Sequence, residues 1–428
     1  MYQELESRFN VIYPTSDNAT YSSLMNYSDD LKKPLQRWYR YKEGFSIELI
    51  KNLINEYNKN TEGIIMDPFL GSGTTLLTAN MLGLKGIGYE VNPFSFFLSK
   101  CKLRNYKDLC IKEFDNKYME LTQKALLNIV DYKLPQLSIA NKTFEKHIEE
   151  YMLTLKSLIE GSNYDYTETK DLLVLGWLAC IEELSIYRKA GNGLKKRKYV
   201  KPRLITKEDV FKLITETYNN IKIDVSTNVI DFNVSLYNKS CLSMADDIKG
   251  KSVSGIIFSP PYANCFDYTE IYKLELWFGG FVSEYKDLKV LRNLSLRSHL
   301  NGDLSSAVKE KSTKSLDDLL KELESKELWD KKIPTMLKLY FHDMFTIIEN
   351  AYKVLEDNGF CCIVVGNSSY GNIIFPTDLL LAEYAEIIGF YVDKIEVDRY
   401  LITSSQQYET TEKNKRYLRE SVVCLIKK

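Results

Sequence analysis

Histidine is scarce in this chain, with three among 428 residues. Catalytic triads and histidine-rich metal sites therefore have few candidates. The eight cysteines form no CxxC pair, and two of them, Cys361 and Cys362, are adjacent. That spacing speaks against a zinc site or a disulfide framework and fits a reducing, cytoplasmic compartment. No apolar run reaches the roughly 18 residues that a membrane helix needs. The N-terminal MYQELESRFNVIYP has no basic start followed by an apolar core, so no signal peptide is expected. Net charge is also small, at −1. That argues against a chain that binds nucleic acid over its whole surface, but it leaves room for a local basic patch.

Hydrophobic residues make up 44% of the chain. This is enough for one large domain with insertions, or for two or three smaller ones. The abundance of Lys, Asn, Ile and Tyr reads as the composition of an AT-rich genome. Residues 1–40 are polar and Tyr-rich, without clear periodicity. From residue 41 the pattern sharpens. EGFSIELIKNLINEY has helical apolar spacing, with Ser46 as N-cap. GIIMDPF is a short strand, GSGTTLLTANMLG a tight turn opening a helix, and KGIGYEV a second strand. NPFSFFLSKCK starts the next helix. Strand and helix alternating over short connections predict a parallel α/β unit over 41–105.

Residues 106–228 read differently. Long amphipathic segments predict a mainly helical insertion, broken by a loop at 187–203. Strand-like runs return in VIDFNVSLYN and GIIFSPP, and YTEIYKLELWFGGFV reads as a helix. An inserted stretch over 283–335 is polar and poorly periodic. The C-terminal part resumes α/β character, with a helix at MFTIIENAYKVL, a strand at GFCCIVVGNS and a helix at TDLLLAEYAEIIGF. VDKIEVDRYLI and SVVCLIKK close the chain as a hairpin of strands. Residues 229–428 thus complete the α/β domain begun at 41.

Two places carry chemistry. In DPFLGSGTT, Gly71 and Gly73 lie between a strand and a helix, where they permit positive φ and close approach of a ligand to the backbone. The helix start adds free amides and positive potential. No GK[ST] follows, so this is not a Walker loop. Glu90 ends the next strand roughly 20 residues on, placed to accept hydrogen bonds from ribose hydroxyls. Asn92-Pro93 then opens a helix. The second place is Ser259-Pro260-Pro261-Tyr262, which stops an apolar strand and discards two backbone donors.

Taken together, DPFLGSGTT, GIGYEVNP and SPPY resemble the amino-group DNA methyltransferases. These use S-adenosylmethionine to methylate N4 of cytosine or N6 of adenine. The resemblance implies a Rossmann-like class I methyltransferase fold: α/β, with a mostly parallel sheet, a closing C-terminal hairpin and a mainly helical insertion. It implies cofactor contacts at Phe45, Asp67, Pro68, Phe69, Gly71, Ser72, Gly73, Thr74, Glu90, Asn92 and Ser240. It makes Ser259, Pro260, Pro261 and Tyr262 the catalytic residues. GFSIEL is similar to the family's F-S-P-x-L, with Ile47 where proline is usual. The family often has an acid after the third strand; YNKSCLSM leaves that role to Ser240 or Asn238.

An exocyclic amine is a poor nucleophile, because its lone pair is delocalised into the ring. The Ser259 hydroxyl and Pro260 carbonyl are acceptors able to draw the nitrogen toward tetrahedral geometry, and the prolines pre-aim them. Tyr262 offers a face on which an extruded base can stack. Cys265 is read as structural. In this family a leading serine more often accompanies cytosine-N4 activity. The expected function is therefore site-specific N4 methylation of cytosine in double-stranded DNA, with a restriction endonuclease as partner. Adenine-N6 is the near alternative, and RNA or a protein glutamine the more distant ones. No metal is expected.

RKAGNGLKKRKYVKPR, residues 188–203, holds eight Lys or Arg and no acid. Lys195, Lys196, Arg197 and Lys198 are the best local candidates for phosphate contact, and Tyr199 for stacking. Arg292, Arg297 and His299 in RNLSLRSHLNG are a second candidate DNA contact. Asp267, Tyr268 and Lys273 are candidates to face the substrate, with Trp277 and Phe278 as core.

Overall fold

The computed structural model describes residues 2–14, 30–42, 44, 46–191, 193–198, 206–248, 252–305, 309–401 and 412–428. Twelve strands occur among them: β1 (Val11–Ile12), β2 (Ile64–Asp67), β3 (Lys85–Tyr89), β4 (Tyr187–Ala190), β5 (Gly193–Lys196), β6 (Val234–Tyr237), β7 (Val253–Phe258), β8 (Leu355–Gly366), β9 (Ser368–Tyr370), β10 (Ile373–Phe375), β11 (Phe390–Tyr400) and β12 (Arg419–Lys427). Eight form one sheet in the order β1-β11-β12-β8-β7-β2-β3-β6. The five strands from β6 to β8 pair in parallel. Strand β12 then inserts antiparallel between β8 and β11.

This is the expected class I methyltransferase arrangement. The parallel strands run outward from β2 on both sides, so the order reverses between β2 and β7. Ligands of doubly wound sheets bind outside the carboxyl ends of the strands at such a reversal. The glycine turn follows β2, and Ser259 follows β7.

Strand β7 is buried along its whole length, as a central parallel strand should be. Its side chains divide between the two faces: Ile256 and Phe258 pack into one apolar cluster, and Ile257 into another. The same alternation explains the adjacent cysteines. Cys361 points to the face covered by helices Ile333–Val354 and Thr377–Ile388, while Cys362 points to the face covered by helix Ile47–Tyr57. Ser46 caps that last helix, its hydroxyl accepting from the Leu49 amide at 3.1 Å.

Between β3 and β6 lie the long helices Asp108–Leu127, Lys146–Gly161, Thr167–Ala179 and Lys207–Thr227, which pack on one another. Three findings differ from the sequence reading. The N-terminal segment supplies an edge strand, β1, paired in parallel with β11. The segment read as one helix after SPPY is two, Tyr268–Ile271 and Lys273–Phe278, interrupted at Tyr272 (φ −98°, ψ 22°). The basic stretch read as a loop is a hairpin, β4 paired with β5 in antiparallel register. Its turn carries Gly191 at φ 59°.

Candidate active site

Asp67 ends β2 and is almost fully buried, at 1% exposure. Its Oδ1 accepts from the Phe69 amide at 2.9 Å, which starts the turn. Gly71 (φ 51°) and Gly73 (φ 83°) both occupy the left-handed region. A side chain at Gly71 would also meet the Tyr41 ring at 3.3 Å. Gly73 then caps helix Thr74–Met81.

Glu90 closes the turn from the next strand. One carboxylate oxygen accepts from the Gly71 amide (2.8 Å) and the other from the Asn92 amide (2.7 Å). Asn92 caps helix Pro93–Lys102, with Oδ1 taking the Phe94 amide at 3.0 Å. Its Nδ2 has no hydrogen-bond partner among the described residues. Loss of water pushes the Asp67 carboxyl up to about 7. The Glu90 carboxyl also rises to about 7 for the same reason, against the pull of its amide donors. Among the described residues neither carboxylate has a cationic partner.

The turn is braced from behind. Lys102 Nζ donates to the Ser72 carbonyl (2.7 Å) and to Gln36 Oε1 (2.6 Å). Gln36 Nε2 in turn donates to Thr74 Oγ1 at 3.1 Å. Burial lowers the Lys102 ammonium to about 7. Sequence spacing contains no signal for this brace, because Gln36, Ser72 and Lys102 meet only in the fold.

One cavity joins the two motifs. Its wall includes Asp67, Pro68, Phe69, Gly71, Ser72, Thr74, Glu90, Asn92, Ser240, Ser259 and Pro261. Ser240 caps the short turn at Cys241–Ser243, accepting from the Leu242 amide at 3.4 Å. Gly73, Pro260 and Tyr262 do not line the cavity wall. Pro260 is buried, while the half-buried Tyr262 points its hydroxyl at Glu420. Asn238 is turned toward the backbone, donating to the Glu90 carbonyl at 2.7 Å. Phe45 lies outside the described residues, as does Tyr199.

Asp267 and Tyr268 also line the cavity, whereas Lys273 is paired with Glu270 at 2.6 Å. Leu291, Leu296 and His299 complete the wall, a contribution the sequence reading missed. The charges in that segment face inward. Arg292 bridges Asp267 (2.8 Å) and Glu270 (2.7 Å), Arg297 pairs with Asp343, and His299 is buried. This segment covers the cavity and does not offer free cations to DNA. The amphipathic helix Tyr285–Leu294 was the available signal, hidden by its many charges. Cys265 sits beside Tyr370 Oη at 3.3 Å, and Trp277 and Phe278 are core.

The basic hairpin stands beside this site. Lys42 Nζ donates to the Gly191 carbonyl at 2.6 Å, and β5 packs on helix Tyr268–Ile271. Lys189 turns inward to Glu275 (2.5 Å) and Tyr39 (2.6 Å). Arg197 also turns inward, donating to the Ser185 (3.2 Å) and Glu182 (2.9 Å) carbonyls. Arg188, Lys195, Lys196 and Lys198 are exposed. Arg188 and Lys195 face each other across the hairpin.

A strand-turn-helix with paired left-handed glycines, an acid closing it and a Pro-Pro strand end on the same cavity define a class of protein. A family model described as DNA methylase, of the N6/N4 type, matches residues 12–99, which hold the turn and Glu90. This match supports the amino-group DNA methyltransferase family for the chain. The relatives that match it over most of their length include two type II methyltransferases. The type II methyltransferase M.BsoBI of Geobacillus stearothermophilus is 29% identical over 90% of this chain and 84% of its own. The type II methyltransferase M.AvaI of a Nostoc strain is 29% identical over 87% and 83%. Among solved structures, the rRNA methyltransferase aviRa of Streptomyces viridochromogenes covers 96% of both chains at a TM-score of 0.34 and 7% identity, too distant to bear on fold or function. The family implies S-adenosylmethionine as methyl donor. No helix among the described residues is long and apolar enough to cross a membrane.

Proposed function

We propose that this chain methylates the exocyclic N4 amine of cytosine in double-stranded DNA, as the modification half of a type II restriction system. The observation that carries the reading is the shared cavity, in which Asp67, Gly71 and Glu90 meet Ser259 and Pro261. Its chemistry suits S-adenosylmethionine. Two carboxylates without an ion pair among the described residues complement a ligand bearing a sulfonium and an ammonium. The unpartnered Asn92 Nδ2 adds a donor. When bound, the cofactor supplies the methyl group.

The roles then divide by element. The turn from Asp67 to Thr74, with Asn92 beside it, holds the cofactor, and Phe45 remains the contact that the family resemblance implies. Glu90 keeps acceptor capacity for ribose hydroxyls beyond its two amides, and Ser240 faces the same ligand from the next strand end. Ser259 Oγ and the Pro260 carbonyl accept from the target amine, and Pro261 fixes their aim. Tyr262 supports the extruded base. Lys195, Lys196 and Lys198 contact phosphate, joined by Arg188, while Arg197 anchors the hairpin. The leading serine favours cytosine; the type II names belong to the relatives and support a cognate endonuclease as partner.

Mass spectrometry of nucleosides from DNA treated with enzyme and S-adenosylmethionine tests the reading. N4-methylcytosine is expected. N6-methyladenine would move the target base to the alternative, and no methylated nucleoside in DNA would sink the proposal. Ser259→Ala and Tyr262→Ala should each abolish transfer while leaving cofactor affinity intact.

A further inference from the structure

Tyr262 is held by residues far from it in sequence. Its hydroxyl donates to Glu420 Oε1. The other carboxylate oxygen of Glu420 accepts from Arg399 Nε at 2.5 Å. Arg399 and Glu420 are directly opposite on β11 and β12, and Glu420 is opposite Gly366 on β8. The third contact is Gly366 itself. A Cβ there would fall 2.7 Å from Cε2 and 2.8 Å from Cδ2 of the Tyr262 ring. Gly366 does not have a positive φ, so the backbone does not demand glycine. The ring does.

Three strand ends therefore converge on one side chain. The Glu420 side chain is buried, at 7% exposure, and a buried carboxylate is costly unless paired and hydrogen-bonded. Arg399 supplies the pairing, and the phenol takes the second oxygen. A ring needed only as apolar filler would not require that hydroxyl. Tyr262 stays half-buried, so part of it remains accessible.

We propose that Glu420, backed by Arg399 and with Gly366 as a floor lacking a Cβ, fixes the Tyr262 ring in the orientation that receives the flipped base. Glu420 is a positioning residue that acts through Tyr262. This rests on the functional reading above, in which Tyr262 is the stacking aromatic. Displacing a positioned group by about 1 Å is able to cost roughly 100-fold in rate.

The test combines Glu420→Ala, Glu420→Gln, Tyr262→Phe and the double variants. Each is assayed for kcat, KM for DNA and cofactor affinity, and for the fluorescence of 2-aminopurine placed at the target base. Glu420→Ala should lower kcat/KM for DNA about 10- to 100-fold and the flipping signal with it, with cofactor affinity unchanged. Glu420→Gln, which retains an acceptor, should recover part of the loss. Tyr262→Phe combined with Glu420→Ala should be no worse than the poorer single variant, because both remove one interaction. Should Glu420→Ala fail to fold, the Glu420→Gln and Tyr262→Phe pair gives the same cycle. Wild-type kinetics in the Glu420 variants, or losses that multiply in the double variant, overturn the inference. A fully active Tyr262→Ala instead overturns the site reading beneath it.

Discussion

Glu90 carries two tasks with one carboxylate. Its oxygens already hold the Gly71 and Asn92 amides, so it shapes the turn before any ligand arrives. Removing it takes away a charged acceptor and leaves two amides unmatched at once. Hydrogen bonds to charged groups are worth about 1.5–3 kcal/mol. Glu90→Ala should therefore weaken S-adenosylmethionine binding roughly 10- to 100-fold by calorimetry, and an unchanged dissociation constant would remove Glu90 from the ligand's shell. Local residues such as Gly71, Glu90 and Ser259 were legible in sequence because each sits at a strand end, where its type has a backbone or acceptor reason to be. Lys102, Gln36 and Glu420 were not. Each meets its partner across dozens to hundreds of positions, and neither periodicity nor spacing reports such distances.

The hairpin shows the same limit for an element. Its alternation is masked in sequence because both faces carry cations: Lys189 and Arg197 turn inward, while Arg188, Lys195, Lys196 and Lys198 are exposed. Gly191-Asn192 between two four-residue runs was the readable turn signal. Like charges directly opposite, such as Arg188 and Lys195, destabilise a hairpin in isolation. An external polyanion removes that penalty. A two-stranded ribbon also fits the DNA major groove. Replacing Lys195, Lys196 and Lys198 by Ala together should flatten the slope of log affinity against log salt by about 2 to 3. Replacing Arg197 should act differently, lowering thermal stability with little change in that slope. An unchanged slope in the triple variant would make the hairpin a spectator of binding.

For the whole molecule, the parallel α/β character was legible because strand and helix alternate around β2 and β7. What that alternation could not reveal is that the 291–299 segment contributes a wall of the cavity. Burial of the cavity's two carboxylates has a consequence for pH. Asp67 and Glu90 both titrate at about 7, above the usual carboxylate range. Between about 4 and 7 the folded chain therefore binds protons that the unfolded chain has released. Their contribution to stability is fully present below the ordinary carboxylate range and is lost as pH rises through about 7, on the order of a few kcal/mol for Asp67. A ligand that brings a sulfonium and an ammonium into the cavity offsets this loss only where the carboxylates are ionised. The rise in melting temperature produced by S-adenosylmethionine should accordingly be larger at pH 8 than at pH 6. Asp67→Asn should reduce the difference between the two. Equal shifts at both pH values would show that these carboxylates do not meet the cofactor's cations, and that their burial serves the turn alone.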